Sequence, residues 1–344
     1  MWSTIPQEFY LRIIQFIDEP KQIKECRLVC KDWNHPDLKY MQQLSCVVIN
    51  SKNSVSLFYE FMKKHPTKGR FVRQIILGDV IDWNRTFLNL MDLVFTPHLE
   101  IFKGTLTYNE DYFYYKISSI IKSSPNKTWS LKLILQNQHF SYLYFKTLLL
   151  LKDTLEDITL NFYNYNHDPP LDKGRIAKHM NQFKRLKKLS LMGSFTIKEL
   201  GDILQACSRL EELYLEAISL DFFHFDRHST DYADLKRMTS LKTLKVGESA
   251  PVSVIKYLLY MYPNVETVEI DGRWHYPRFN EFILETLKTI KQVPAFKLKF
   301  MLDYNITSLV YIIDSINADR NDISVEHFIN AVHAEEIIIS SKTM

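Results

Sequence analysis

The side chains best able to do chemistry in this 344-residue chain fall into a few small clusters. Cys26 and Cys30 stand one helical turn apart with His35 close behind. Two thiols and an imidazole are a start toward a tetrahedral zinc site, but no fourth ligand accompanies them. His224, Asp226, His228 and Asp231 have a helix-like spacing for a metal, yet they sit in a turn-like run with no second cluster. Glu211-Glu212 and Glu335-Glu336 are paired carboxylates, the residue type used for general acid and base work, and read more simply as solvated pairs. Lys184-Arg185-Leu186-Lys187-Lys188 has the composition of a nuclear-localisation patch, although its leucine falls at a recurring apolar position. No Gly-x-Ser-x-Gly, His-Glu-x-x-His or Cys-His-Asn setting occurs, and the eight glycines form neither Gly-x-Gly-x-x-Gly nor a Walker loop. The expectation is no catalytic residue, no cofactor and no metal: a protein that acts by binding.

Composition narrows what it could bind. A net charge of +3 is too small to argue for nucleic acid. With 46% hydrophobic and 24% charged residues the chain reads as folded. Four cysteines, Cys26, Cys30, Cys46 and Cys207, do not make a disulfide framework, which suits a reducing compartment. No signal peptide opens the chain and no apolar run approaches the ~18 residues a membrane helix needs. Together these lead to the expectation of a cytoplasmic and/or nuclear protein with no membrane partner.

The elements that would position a binding surface fall into two parts. Residues 1–43 read as three short helices. Ser3 or Thr4 can cap the first, Pro6 suits its opening turn, and Phe9, Ile13, Phe16 and Ile17 recur at helical spacing. Pro20 separates it from a second helix carrying Ile23, Arg27 and Cys30 on one face, and Trp33 follows. So short a module buries little core by itself, so its apolar faces need a partner or the rest of the chain.

From residue 44 onward a unit of the form apolar-x-x-apolar-x-apolar recurs. Its clearest copies start at Leu155, Leu186, Leu210, Leu241 and Val265, separated by 31, 24, 31 and 24 residues. Looser copies run through Ile75 and Leu77, Leu99 and Phe102, Leu131-Leu133-Leu135, Phe296-Leu298-Phe300 and Ile337-Ile339, with Ile337-Ile338-Ile339 expected as the edge strand of a closing cap. Helical patterns lie between them, including Leu57-Phe58-Phe61-Met62 and Leu235-Met238. Alternation across a strand turns Asp157, Thr159, Lys188, Ser190, Glu212, Tyr214, Thr243, Lys245, Thr267, Glu269, Lys297 and Lys299 away from the core. The long repeats place their extra residues after the strand, in 161–173, 221–231 and 271–280. These runs mix aromatics with His, Asp and Arg, types enriched at interface hot spots. Tyr163, Tyr165, His224, Phe225, Arg273 and Trp274, with Tyr214 of the sheet, are therefore the candidate substrate-binding residues.

Two resemblances follow from these residues. The strand unit resembles that of leucine-rich repeats in a degenerate form, since the expected Asn is mostly missing. It implies an α/β fold over 44–344: a curved solenoid with a parallel inner sheet. Ile5-Pro6-x-Glu8, the pair Ile13-Ile14, and Leu28-Val29-Cys30-Lys31-x-Trp33 together resemble an F-box, Ile5 replacing the usual Leu. That resemblance implies a three-helix F-box over 1–43, docking a Skp-type adaptor and through it a cullin, with Ile5, Pro6, Ile13, Ile14, Ile17, Leu28, Val29 and Trp33 at the matching positions. The combination implies a substrate-recognition subunit of a ubiquitin ligase. The alternative is a non-ligase binding scaffold whose first helices cap the solenoid.

Overall fold

The structure is a computed structural model and describes residues 25, 28, 44–78, 85–104, 110–136, 140–163, 173–217, 236–247, 251–272, 279–302, 323–329 and 335–341. The expected 1–43 domain thus lies outside the described residues except for Glu25 and Leu28. The chain divides into two compact units, 1–155 and 156–344. Both are mixed α/β and both contain a parallel sheet.

In the first unit the order is β1 (Cys46–Ile49), α1 (Lys52–Lys64), a 3-10 turn (Pro66–Phe71), β2 (Gln74–Leu77), α2 (Arg85–Val94), β3 (Ile101–Lys103), α3 (Glu110–Lys122) and α4 (Tyr142–Leu150). The three strands are parallel in the order β1-β2-β3, with Val47, Ile75 and Phe102 in one register row. Ser51 starts α1 by a capping box with Ser54, and Ser141 caps α4. Val55 and Met62 form the buried face of α1, whereas Leu57 is 74% exposed. Of the expected pattern, Met62 is buried and Phe58 and Phe61 half-buried, and only Leu57 departs, because the apolar residues of α1 cover more than one face. The Leu131 copy also differs. Leu131 and Ile134 are buried while Leu133 is half-exposed, so the apolar-x-x-apolar rule holds there and simple alternation does not.

A cluster of aromatic rings runs through the otherwise aliphatic core of this unit. Phe102 meets Phe113 edge-on at 5.8 Å, Phe113 lies 6.3 Å from Phe87, and Phe95 lies 5.3 Å from Trp129. Tyr114 is fully buried with its hydroxyl donating to the Leu135 carbonyl (3.0 Å), and burial pushes that phenol well above its ordinary range. One polar pair is buried and satisfied: the Ser118 and Thr147 hydroxyls at 2.8 Å.

The second unit runs β4 (Asp157–Asn161), α5 (Lys173–Met180), β5 (Lys188–Gly193), α6 (Ile197–Ala206), β6 (Glu212–Ala217), β7 (Thr243–Val246), α7 (Val252–Met261), β8 (Thr267–Gly272), α8 (Phe279–Ile290), β9 (Ala295–Leu302), β10 (Ile323–Ile329) and β11 (Glu335–Ser341). Strands β4 to β9 are parallel neighbours in chain order. Asp157, Lys188, Glu212, Thr243 and Thr267 are register partners, so the alternating spacing of 31, 24, 31 and 24 residues is that of the ladder itself. Behind them Ile158, Leu189, Leu213, Leu244, Val268 and Phe296 form one buried column, and Leu160, Leu191, Leu215, Val246, Ile270 and Leu298 another.

Two expectations are corrected here. The helical pattern expected at Leu235-Met238 is irregular backbone over its described residues 236–238. Met238 is held by its N–H on the Met261 carbonyl (2.8 Å) and buried without a helix. Ile337-Ile338-Ile339 is not an edge: β11 lies between β9 and β10 and is antiparallel to both, so the sheet ends in β10-β11-β9. A run apolar at consecutive positions suits a strand paired on both sides. The outer place goes to β10, whose Ser324 and Glu326 suit an edge better.

Turns at strand ends use glycine where a side chain has no room. Gly193 closes β5 at φ +121°, and a Cβ there would come within 2.9 Å of the Phe162 backbone carbon. Gly104 follows β3 at φ +136°, with Leu77 equally close.

Candidate protein-binding face

All twelve side chains expected to leave the sheet of the second unit are exposed or half-exposed, and their β-strand neighbours are buried. Parallel register aligns them into rows. In the first, Asp157, Lys188, Glu212, Thr243 and Thr267 lie abreast; in the second, Thr159, Ser190, Tyr214, Lys245, Glu269 and Lys297.

The alternating signs along these rows are in large part lateral pairing. Glu212 is the hub, with Lys188 Nζ at 2.8 Å and Lys245 Nζ at 3.1 Å, and Lys245 also reaches Glu269 at 3.7 Å. Partial burial raises the Glu212 pKa, but hydrogen bonds from Lys188 and Lys245 outweigh it and hold the carboxyl below its usual range. Lys188 is in turn pushed up, chiefly by its hydrogen bond to Glu212. A carboxylate held ionised between two ammonium groups is a poor proton donor, which removes Glu212 as a general acid. The basic run before β5 also resolves into structure. Leu186 and Leu189 are buried, Lys187 pairs with Glu156 at 3.1 Å and Lys188 with Glu212.

Two candidate tyrosines converge. Tyr214 donates its hydroxyl to Glu216 Oε2 (2.8 Å), and Tyr163, just past β4, reaches the Glu216 backbone carbonyl two strands away (3.4 Å). The Tyr163 N–H is anchored on Asn161 Oδ1 at 2.9 Å. Beside them Gly247 leaves the room that the Tyr214 hydroxyl occupies, since a Cβ there would stand 2.8 Å from that oxygen. Glu216 and Gly247 were not singled out from the sequence, but continuing the alternation Glu212, Tyr214 by one step reaches Glu216. Nearby Phe162 packs down instead, edge-on against Phe195 at 5.3 Å, with Lys173 Nζ 4.8 Å from the Phe195 ring.

Of the other candidates, Tyr165, His224, Phe225, Arg273 and Trp274 lie outside the described residues, as do Ile5, Pro6, Ile13, Ile14, Ile17, Val29 and Trp33. What is described is where their segments depart: β4, β6 and β8 are parallel, so their C-terminal ends fall on one edge of the sheet. Leu28 is described. It is 81% exposed, with its N–H on the Glu25 carbonyl at 2.9 Å.

Cys207 is buried and its thiol is pushed up to about 12 by that burial, so it stays protonated and inert. No helix among the described residues is long and apolar enough to cross a membrane.

No protein-family model matches the chain. It is 30% identical over 135 residues to an acidic leucine-rich nuclear phosphoprotein 32-related protein of Plasmodium falciparum (isolate 3D7), a stretch that is 37% of this chain and 43% of that protein. The chain thus spans less than half the length of the curated relative it matches. The likeness is to a leucine-rich protein, as is the likeness of the strand unit.

Proposed function

We propose that this chain is a leucine-rich-repeat recognition subunit whose sheet face holds a target protein and whose F-box-like N-terminal segment docks a Skp-type adaptor, and through it a cullin. The observation that carries the binding half is the register of β4–β9. It lays charged and aromatic side chains in continuous rows on a rigid, backbone-bonded frame. A face of mixed sign with a fixed tyrosine pair suits a protein surface better than a polyanion. The 81% exposure of Leu28, a docking position in the F-box resemblance, supports the other half. In this reading no residue makes or breaks a bond. The subunit raises the target's effective concentration beside the ubiquitin-carrying enzyme.

Co-expression with a Skp-type adaptor, followed by pull-down, tests it. Wild type retains the adaptor, and the double variant Pro6→Ala/Leu28→Asp, folded by circular dichroism, loses it. A folded wild-type chain that retains no adaptor removes the ligase role and leaves the scaffold reading, in which the sheet face alone is at work.

A further inference from the structure

Helices α3 and α4 of the first unit run parallel and in register. Tyr114 meets Tyr144 with ring centroids 4.9 Å apart, and one turn further along the Ser118 and Thr147 hydroxyls stand 2.8 Å apart. Thr147 Oγ1 also lies 3.3 Å from the Tyr114 carbonyl, which ties α4 to the backbone of α3. A surface groove of about 570 Å³ runs between the two helices. Ser118, nearly buried, lies at its floor with Ser119 beside it, and Tyr115 faces Leu143, Leu149 and Leu150 across it. Contacts beneath the groove therefore fix the spacing of its two sides.

Apolar surface is concentrated here. Among the described residues seven large apolar side chains are exposed, and four of them, Tyr112, Tyr115, Tyr142 and Leu150, belong to these two helices. They are also in phase. Tyr112, Tyr115, Ser119 and Lys122 follow one another at i, i+3, i+7 and i+10 along α3, and Tyr142, Lys146 and Leu149 at i, i+4 and i+7 along α4. The charge is one-sided. Lys122 and Lys146 line the groove and are exposed, and no carboxylate lines it. Neither lysine takes part in an ion pair among the described residues, whereas Lys116 of the same helix is held by Asp92 at 2.7 Å. The acids of α3, Glu110 and Asp111, sit in its first turn, at the end opposite Lys122.

We propose that this groove docks an acidic amphipathic helix of a partner protein, with the helix's apolar ridge seated between α3 and α4 and its carboxylates meeting Lys122 and Lys146. Two parallel helices with serines between them leave a furrow that the side-chain ridge of a third helix can fill. An extended peptide gains little there, because the backbone N–H and C=O groups of α3 and α4 are spent within the helices and offer no edge for strand addition. From Tyr112 to Lys122 is about 15 Å of helix, so roughly three turns of a partner cover the stripe. Tyrosines with a fixed apolar floor supply the contact area, and two lysines without a lining carboxylate select the sign of the partner. The groove is built by helices alone and does not depend on the sheet face of the second unit.

Fluorescence anisotropy of a labelled designed peptide titrated with the full chain tests this. The peptide is helical, with leucines at i, i+3, i+4 and i+7 on one face and glutamates beside them; a second peptide carries lysines in place of the glutamates. The acidic peptide is expected to saturate on wild type, and the basic one is not. Lys122→Glu/Lys146→Glu weakens the acidic peptide by about tenfold or more, and Tyr115→Ala by about fivefold or more. The control Lys63→Glu/Lys103→Glu, which reverses equal charge at exposed positions outside the groove, leaves binding unchanged. Circular dichroism confirms that each variant is folded. No saturable binding of the acidic peptide to the folded wild type, equal binding of the basic peptide, or equal loss in the two double variants overturns the site. Binding to phosphatidylserine vesicles that is lost in Lys122→Glu/Lys146→Glu, without binding of the peptide, assigns the patch to a lipid surface and overturns the protein partner.

Discussion

In β1–β3 the outward rows read Cys46, Gln74, Ile101 and then Val48, Ile76, Lys103. In β4–β9 the corresponding rows are charged and hydroxylated, and three ion pairs centred on Glu212 and Lys245 cross them. The cores differ as well: linked aromatic rings behind β3, aliphatic columns behind β4–β8. Yet the backbone device is the same. The residue before each strand offers its carbonyl to two successive N–H groups of the next strand, at Ser45 and Arg73 in one unit and at Glu156, Lys187, Glu211 and Lys242 in the other. A repeat held by main-chain bonds leaves its inner and outer side chains free to diverge, so shared architecture says little about shared ligands.

The largest effects should come from the cores. Phe102→Ala, at the centre of the ring cluster, is expected to cost about 3–5 kcal/mol, and Leu213→Ala, in the middle of the aliphatic column, about 2–5 kcal/mol. Urea unfolding measures both. Comparable losses would keep the two cores equivalent. A Phe102→Ala cost under about 1 kcal/mol would mean the rings close over the gap, and the core of the first unit would be the looser of the two.

The same contrast explains what the sequence reveals. Leu at the repeat positions made the second unit legible down to its spacing and its outward residues, because only one face of each strand is apolar. In the first unit Phe102 and Ile134 stand at such positions, and Leu133 and Ile76 are apolar but face outward, so the pattern blurred. The antiparallel ending escaped because an apolar run specifies burial and not strand direction. The tyrosine site was half legible: residue type marked Tyr163 and Tyr214, but their meeting at Glu216 depends on a reach across two strands that no local pattern encodes.

Of intermediate size is the demand for glycine at strand ends. Gly104→Ala and Gly193→Ala each force an L side chain to positive φ against the preceding repeat, at an expected cost of about 1–3 kcal/mol in thermal or urea unfolding. Similar losses would show that the two units close their strands alike. A near-neutral Gly104→Ala would separate them, even though backbone atoms of Leu77 and of Phe162 crowd the two glycines alike.

The smallest and most discriminating effect concerns two acids in matching settings. Glu100 sits between Arg73 and Lys132, Glu212 between Lys188 and Lys245, and in both the cationic hydrogen bonds overcome the effect of burial and lower the carboxyl pKa. A carboxyl whose native pKa is depressed adds stability that is present above the unfolded value of 4.5 and is lost as pH falls through the native value. Glu100→Gln and Glu212→Gln should therefore destabilise at pH 7 and approach wild type in strong acid, with each contact contributing about 0.2–1 kcal/mol because the side chains are partly exposed. Urea midpoints at both pH values decide it. Equal behaviour would make both acids structural. If only Glu100→Gln shows the acid-sensitive loss, the charges around Glu212 contribute little to folding, and Lys188 and Lys245 are then cheap to draw onto an acidic partner. That outcome would turn the difference between the two sheets from one of composition into one of use.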